Sequence, residues 1–221
     1  MKSFSPGFAI AIDGPVGVGK STTAKLVAKL LGITYIDTGA LYRAVAYFAV
    51  QNQVLDTVAD YLQDINIQLR HIDEEQRIFL NGQDISDEIR TQAIADATSL
   101  IAANLAVRQK LLPIQQKIAQ ECAVVMDGRD IGSKVLPWAQ LKIYLDADVE
   151  IRARRREQDL INRGQPTDFT QILEETKLRD HRDQSREISP LVQAIGAIRV
   201  DTGNMTPLEV AEEICRLARS N

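Results

Sequence analysis

The chain has 221 residues, 45% of them hydrophobic and 25% charged, and a formal net charge of -4 at pH 7. That length exceeds an average domain of about 150 residues and predicts one substantial core with a smaller insert or appendage. The acidic balance argues against a general nucleic-acid binder, no apolar stretch reaches the roughly 20 residues of a membrane span, and residues 1–8 lack the layout of a signal peptide.

Residues 8–13, FAIAID, read as a buried strand. Residues 20–31 then follow helical spacing, with Ala24, Val27, Ala28 and Leu31 on one stripe and Gly32 placed to end the helix. From 65 to 84 the pattern changes to two alternating runs around a polar turn, with Asn81-Gly82 as a further hairpin signal, so an antiparallel β insert is expected. Helices are predicted over 86–103 and 105–120. Apolar runs return at 123–127 (AVVMD), 141–145 (LKIYL) and 197–200 (AIRV), each followed by a turn and a helical stretch. The last helix opens at TPLEV, with Thr206 as cap, Pro207 at the first position and Glu209 closing a capping box. This alternation predicts an α/β fold in which a parallel sheet lies between helices and ligands bind at the carboxyl ends of its strands. There are no internal repeats and no low-complexity linker, so the insert is expected to be a lobe of one compact unit. Cys122 and Cys215 are too few for a disulfide framework or a cysteine zinc site, and reduced thiols in a cytoplasmic protein are expected.

The stretch from Gly14 to Ser21 fits G-x-x-x-x-G-K-[ST] between a predicted strand and a predicted helix, the context that a phosphate-binding loop requires. Its glycines let backbone N–H groups turn inward, and the helix start adds its dipole. Lys20 can then reach the β- and γ-phosphates, and the Ser21 hydroxyl can bind Mg²⁺. The candidate nucleotide site is Gly14, Pro15, Val16, Gly17, Val18, Gly19, Lys20, Ser21 and Thr22. The bland alternative, a glycine-rich turn that binds nothing, leaves the match of all four fixed positions to chance. A regulatory GTPase would also need a guanine-reading Asn-Lys-x-Asp segment, which the sequence lacks.

Arginines recur at 43, 90, 108, 129, 152, 154, 155, 156, 179, 182 and 186. A guanidinium suits a site with two phosphate-bearing ligands, because its planar fork grips phosphate at two points and keeps its charge. Arginines that merely solvate helix faces are the competing explanation. That explanation is weaker for DGRDIG and LRDHRDQSR, where Asp and Arg are packed together. Asp127 reads as a turn residue or an outer metal ligand.

The segments IDGPVGVGKST, YIDTGALYR, DEIRTQ, MDGRDIG, KIYLDA and RDHRDQSREISPL resemble bacterial cytidylate kinases, a family of nucleoside-monophosphate kinases, in the same order along essentially the whole chain. The resemblance implies transfer of the ATP γ-phosphoryl group to CMP or dCMP with Mg²⁺. It also implies a P-loop core, a monophosphate-binding lobe at about 37–110 that contains the β insert, and a short lid at about 155–170. Carried over by position, it gives Arg43, Arg129 and Arg186 to the transferred or acceptor phosphates, and Thr38, Ser99, Arg108 and Asp130 to the cytosine pocket. Arg179 and Asp183 go to the sugar, and Arg155 and Arg156 lie at the lid entrance, within reach of ATP phosphates. Lys20, Arg129, Arg186 and Arg156 are the implied catalytic set. A monomer is expected.

Two other readings stay open: a related P-loop kinase for another small acceptor, and a nucleotide-binding module that has lost its chemistry. His71 and His181 have no nucleophile or metal-like partner in sequence and read as structural or solvated. Trp138, Tyr42 and Tyr47 read as packing residues, with Tyr42 beside Arg43 the candidate exception. Asn104, Gln109 and the run Asp73-Glu74-Glu75 read as surface.

Overall fold

The computed structural model describes residues 4–72, 75–162 and 164–220. In chain order the elements are β1 (Ala9–Asp13), α1 (Lys20–Leu31), β2 (Thr34–Asp37), α2 (Thr38–Gln51), β3 (Ile67–Ile72), β4 (Glu75–Leu80), β5 (Gln83–Asp84), α3 (Gln92–Ile101), α4 (Leu105–Glu121), β6 (Val124–Gly128), β7 (Leu141–Asp146), α5 (Val149–Asn162), α6 (Phe169–Ser185), β8 (Ile198–Asp201) and α7 (Pro207–Ser220). Five strands form one sheet in the order β2-β6-β1-β7-β8, and β3, β4 and β5 form a second, antiparallel sheet. In the larger sheet β1 pairs parallel with both β6 and β7, and β7 with β8. This is the α/β architecture expected from the alternating pattern, with the antiparallel insert at the expected place.

The chain divides into two compact units, one made of the residues up to Tyr35 with those from Ala119 onward, the other of Ile36–Ile118. All five residues of β1 are buried, as a central parallel strand covered on both faces must be. In the first unit Val27, Leu31, Ile214 and Cys215 from α1 and α7 bury their apolar stripes against Ile10, Ile12 and Ile143 of the sheet. Gly32 ends α1 at φ 66°, a left-handed position that favours glycine, and its N–H donates to the Ala28 carbonyl. The predicted capping box opens α7: the Glu209 carboxylate accepts from the Thr206 N–H and hydroxyl. The second unit has its own core, in which Leu41, Val45, Ile78, Ile101 and Leu111 are buried together.

Three local expectations change, and one pair of elements is new. The helix predicted over 86–103 is interrupted, because the Thr91 hydroxyl accepts from the Ile94 N–H and restarts the chain as α3 after a short turn at Glu88–Arg90. The pair β2 and α2 is not among the predicted elements, since β2 is only four residues long and α2 is apolar on nearly every face, which blurs the helical period. It is defined by Asp37, whose carboxylate caps α2 by accepting from the Ala40 N–H at 3.1 Å. Asn104 is a cap rather than a plain surface residue, its Oδ1 accepting from the Ala106 and Val107 N–H groups. Trp138 is 43% exposed and does not pack into a core. Of the acidic run at 73–75, Asp73 and Glu74 lie outside the described residues, and Glu75 begins β4. His71 and His181 are both exposed.

Candidate active site

The loop between β1 and α1 depends on its glycines, most tightly at Gly14. A Cβ on Gly14 would stand 2.3 Å from the Leu145 carbonyl oxygen. Gly19, at φ 93°, is the N-cap of α1 and brings no side-chain acceptor to the helix start. The first N–H groups of α1 are therefore left for an anionic ligand, and the helix dipole points the same way.

Lys20 is 7% exposed, and its ammonium donates to the Gly14 and Pro15 carbonyls at 2.8 and 2.7 Å. Burial, aided by the Arg129 charge and only partly offset by Asp127 and Asp183, holds its pKa well below the usual lysine value. One residue on, the Ser21 hydroxyl donates to Asp127 Oδ2 at 2.8 Å, and Tyr35 donates to Asp127 Oδ1 at 3.0 Å. Asp127 lies near the carboxyl end of β6 and is 4% exposed. A hydroxyl and a carboxylate at the mouth of a phosphate loop are hard oxygen donors of the kind Mg²⁺ takes. That ion needs only one or two protein oxygens besides substrate phosphates.

Arginines and aspartates from β6, α6 and their flanks come together in the same unit. Arg129 Nε donates to Asp183 Oδ2 at 2.7 Å, and Arg186 Nη1 lies 3.9 Å from Asp183 Oδ1. Burial alone would raise the Asp183 carboxyl. The Arg129 charge and hydrogen bond, with Arg186 and Arg179, outweigh it and hold the group below the usual range. Arg186 also donates through Nε to the Ser189 carbonyl. Asp130 is 6% exposed and directly precedes a single π turn at Ile131–Val135, a kind of irregularity that often marks functional sites. Arg179 is half-buried on α6 and Arg156 half-buried on α5.

Two of the arginines do something the sequence pattern did not suggest. Arg152 donates to Asp180 Oδ2 at 2.6 Å and to the Ala147 and Val16 carbonyls at 2.9 and 3.0 Å, so it braces the phosphate loop from behind. Arg155 spends its guanidinium on Thr202, at 2.6 Å from the carbonyl and 3.1 Å from the hydroxyl, and that hydroxyl donates to the Val18 carbonyl. Arg155, placed at the lid entrance by resemblance, thus supports the loop through Thr202.

In the second unit, Arg43 pairs with the Asp37 carboxylate at 2.5 Å beside Gly39, where a Cβ would stand 3.1 Å from the guanidinium. Thr38, the first residue of α2, is buried. Arg108 is buried on α4, donates to the Ala102 carbonyl at 2.9 Å and lies over the Tyr42 ring at 5.3 Å. Tyr42 is thus a platform for an arginine as well as a core residue. Ser99 is half-buried on α3.

The residue that sequence reasoning missed is Asp13, the lone charge in β1 and its only available signal. It is 2% exposed, and its two oxygens accept from the Ile131 and Gly132 N–H groups at 2.8 Å each. Burial raises its pKa to about 6 from the usual 3.8, against the pull of those two amides and of Lys20. A folded-state pKa above the unfolded one means that the folded state holds the proton more tightly. This contribution to stability is complete below about pH 4 and is lost as the pH rises through about 6. An Asp13→Asn variant should lack that slope, so the difference between wild-type and variant urea-unfolding free energies should change by on the order of 3 kcal/mol between pH 4 and 7. Parallel curves would place the titration elsewhere.

A family profile described as cytidylate kinase matches residues 10–220. The chain belongs to the cytidylate kinase family. Among curated relatives, the cytidylate kinase of Ligilactobacillus salivarius is 46% identical over 212 residues, covering 94% of this chain and 95% of that protein. The cytidylate kinase of Oceanobacillus iheyensis is 44% identical over 209 residues, 93% of this chain and 91% of the other. Among solved structures, shikimate kinase from Bacteroides thetaiotaomicron superimposes with a TM-score of 0.50 at 12% identity, over 96% of this chain and 98% of that one. An uncharacterised protein from Eubacterium ventriosum gives 0.52 at 15% identity, over 97% and 99%. These likenesses concern the fold alone. The cytidylate kinase assignment rests on the sequence relatives and on the family profile, whose match over residues 10–220 includes the phosphate loop, the Arg129 turn and α6.

Proposed function

We infer that the enzyme transfers the γ-phosphoryl group of ATP to CMP or dCMP, giving CDP or dCDP and ADP. The observation that carries this reading is membership of the cytidylate kinase family across nearly the whole chain. The intact Lys20 loop and the paired Arg129–Asp183 cluster support it, since they gather cations in the same unit for phosphate charge.

Phosphoryl transfer needs little covalent help from protein. The demands are alignment, charge stabilisation and exclusion of water. In this reading the loop from Gly14 to Thr22 holds the ATP phosphates through its backbone N–H groups, Pro15 having none, Lys20 places its ammonium on the β- and γ-phosphoryl oxygens, and Arg129, Arg186 and Arg156 take up charge that develops on the transferred group. Asp183 keeps the Arg129 fork oriented and, with Arg179, serves the sugar. Mg²⁺, held through Ser21 and Asp127, would neutralise phosphate oxygens when bound with ATP. Ile36–Ile118 is the monophosphate-binding unit, with Arg43 for phosphate and Thr38, Ser99 and Arg108 for the base. No general base is required.

An acceptor panel with ATP, run with and without Mg²⁺, tests the reading. CMP and dCMP should support ADP formation far better than UMP, AMP or shikimate, and chelation should stop it. Preference for another acceptor would leave a related kinase, and no turnover with any would leave a binding module.

The segment from about 155 to 170 is proposed as a lid. It comprises the end of α5, a connection in which Gly164 adopts φ 69°, and the start of α6, where Asp168 caps the helix by accepting from Thr170 and Gln171. Arg163 lies outside the described residues. Arg154, in the first half of α5, covers the ring of Phe169, the first residue of α6, at 4.7 Å. CMP together with a non-hydrolysable ATP analogue should slow amide exchange at 155–170 and in the β3–β5 insert, and unchanged exchange in both would count against closure. The same reading makes the enzyme a cytoplasmic monomer with no nucleic-acid or membrane partner. No helix among the described residues is long and apolar enough to cross a membrane.

A further inference from the structure

Asp13 ends β1 and directly precedes Gly14, the first glycine of the phosphate loop. Its carboxylate reaches sideways to Ile131 and Gly132, the first two residues of the π turn that follows Arg129 and Asp130. In the sheet, Asp13 is in register with Gly128, so backbone pairing stops where the side-chain bridge begins. One carboxylate therefore joins the start of the ATP loop to the turn that carries Arg129. The joint has little slack. A Cβ on Gly132 would stand 3.2 Å from Ala194 Cβ, 3.3 Å from Lys142 Cδ and 3.4 Å from Asp13 Oδ2.

The choice of residue is informative. A buried acid at the end of an otherwise apolar strand is costly to desolvate, and an apolar side chain would serve packing better. A carboxylate is suited to accept two N–H groups at once. Asparagine offers a single oxygen and would turn an NH₂ donor toward the second N–H. We propose that Asp13 is a positioning residue for phosphoryl transfer, docking the Arg129–Asp130 turn onto the start of the phosphate loop so that Arg129 and Lys20 keep a fixed relation. This rests on the phosphotransfer reading above. The groups that surround the carboxyl are Lys20 from α1, Asp130 from the turn itself, and Tyr144 and the Lys142 stem from β7. Burial sets its ionisation near 6, so the docked turn should report that ionisation.

The first arm of the test uses ligand-free wild-type enzyme and needs no turnover. The backbone amide resonances of Ile131 and Gly132 should titrate together with a midpoint of about 6, and flat amides would overturn the proposal. The second arm is a double-mutant cycle in kcat/KM for CMP at pH 8, where CMP is a dianion. Asp13→Asn should lower it by roughly tenfold or more in the wild-type background and by much less in an Arg129→Ala background, since Asp13 acts through that turn. An equal factor in both backgrounds would mean a general structural role and would overturn the assignment. If Asp13→Asn does not fold, Asp13→Glu, which keeps the charge but displaces it, takes its place in the cycle. The reading of the reaction itself is judged separately, by whether the wild-type enzyme phosphorylates CMP at all.

Discussion

Lys20→Ala should reduce kcat by at least about three orders of magnitude and leave the fold intact. The ammonium is held over the loop by the Gly14 and Pro15 carbonyls, and no other cation belongs to the loop itself, so its loss removes charge stabilisation where the transferred group develops it. Stability should not fall with activity. Burial and the nearby Arg129 push the Lys20 pKa down, which means that the folded protein carries this charge at a disadvantage, and alanine is a good residue for the first turn of α1. The expected pair of results is a thermal midpoint equal to or above wild type and ADP formation near background. An active Lys20→Ala enzyme would defeat the phosphate-loop assignment, and an unfolded one would show that Lys20 is structural.

Asp130→Ala should lower catalytic efficiency for CMP by at least about tenfold and narrow the preference for CMP over UMP. Cytosine presents an amino donor at its 4-position, which a carboxylate accepts. Uracil places a carbonyl there, and two acceptors then face each other with no proton between them. A buried group left unpaired in this way costs about 1–3 kcal/mol. Asp130 is 6% exposed, so water would not readily make up the loss. The measurement is the efficiency ratio for the two nucleotides in wild type and variant. If both fall by one factor, Asp130 holds the turn through its backbone environment rather than reading the base.

Patterns of short range were legible in the sequence because they are physically local. The phosphate loop needs glycine at particular positions of a strand-to-helix turn, the central strands β1 and β6 are nearly continuous apolar runs, and the β3–β5 insert shows a period of two broken by Asn81-Gly82. The capping box at Thr206 is likewise a contact three residues long. From these features alone follow an α/β fold, an inserted hairpin and a site for nucleotide phosphates. The family, too, was recognisable from its ordered segments. Ser21 and Asp127 are 106 residues apart, and Arg152 and Val16 136 apart, and no periodicity encodes such pairs. Only the tertiary structure could divide a set of similar-looking arginines into Arg129 and Arg186, gathered around Asp183, and Arg152 and Arg155, turned to brace the loop. The same holds for Asp13. In sequence it is the polar end of a strand, and it becomes a bridge because parallel pairing sets β1 beside β6 and leaves the Ile131 and Gly132 amides within reach of a carboxylate that would otherwise be buried without partners.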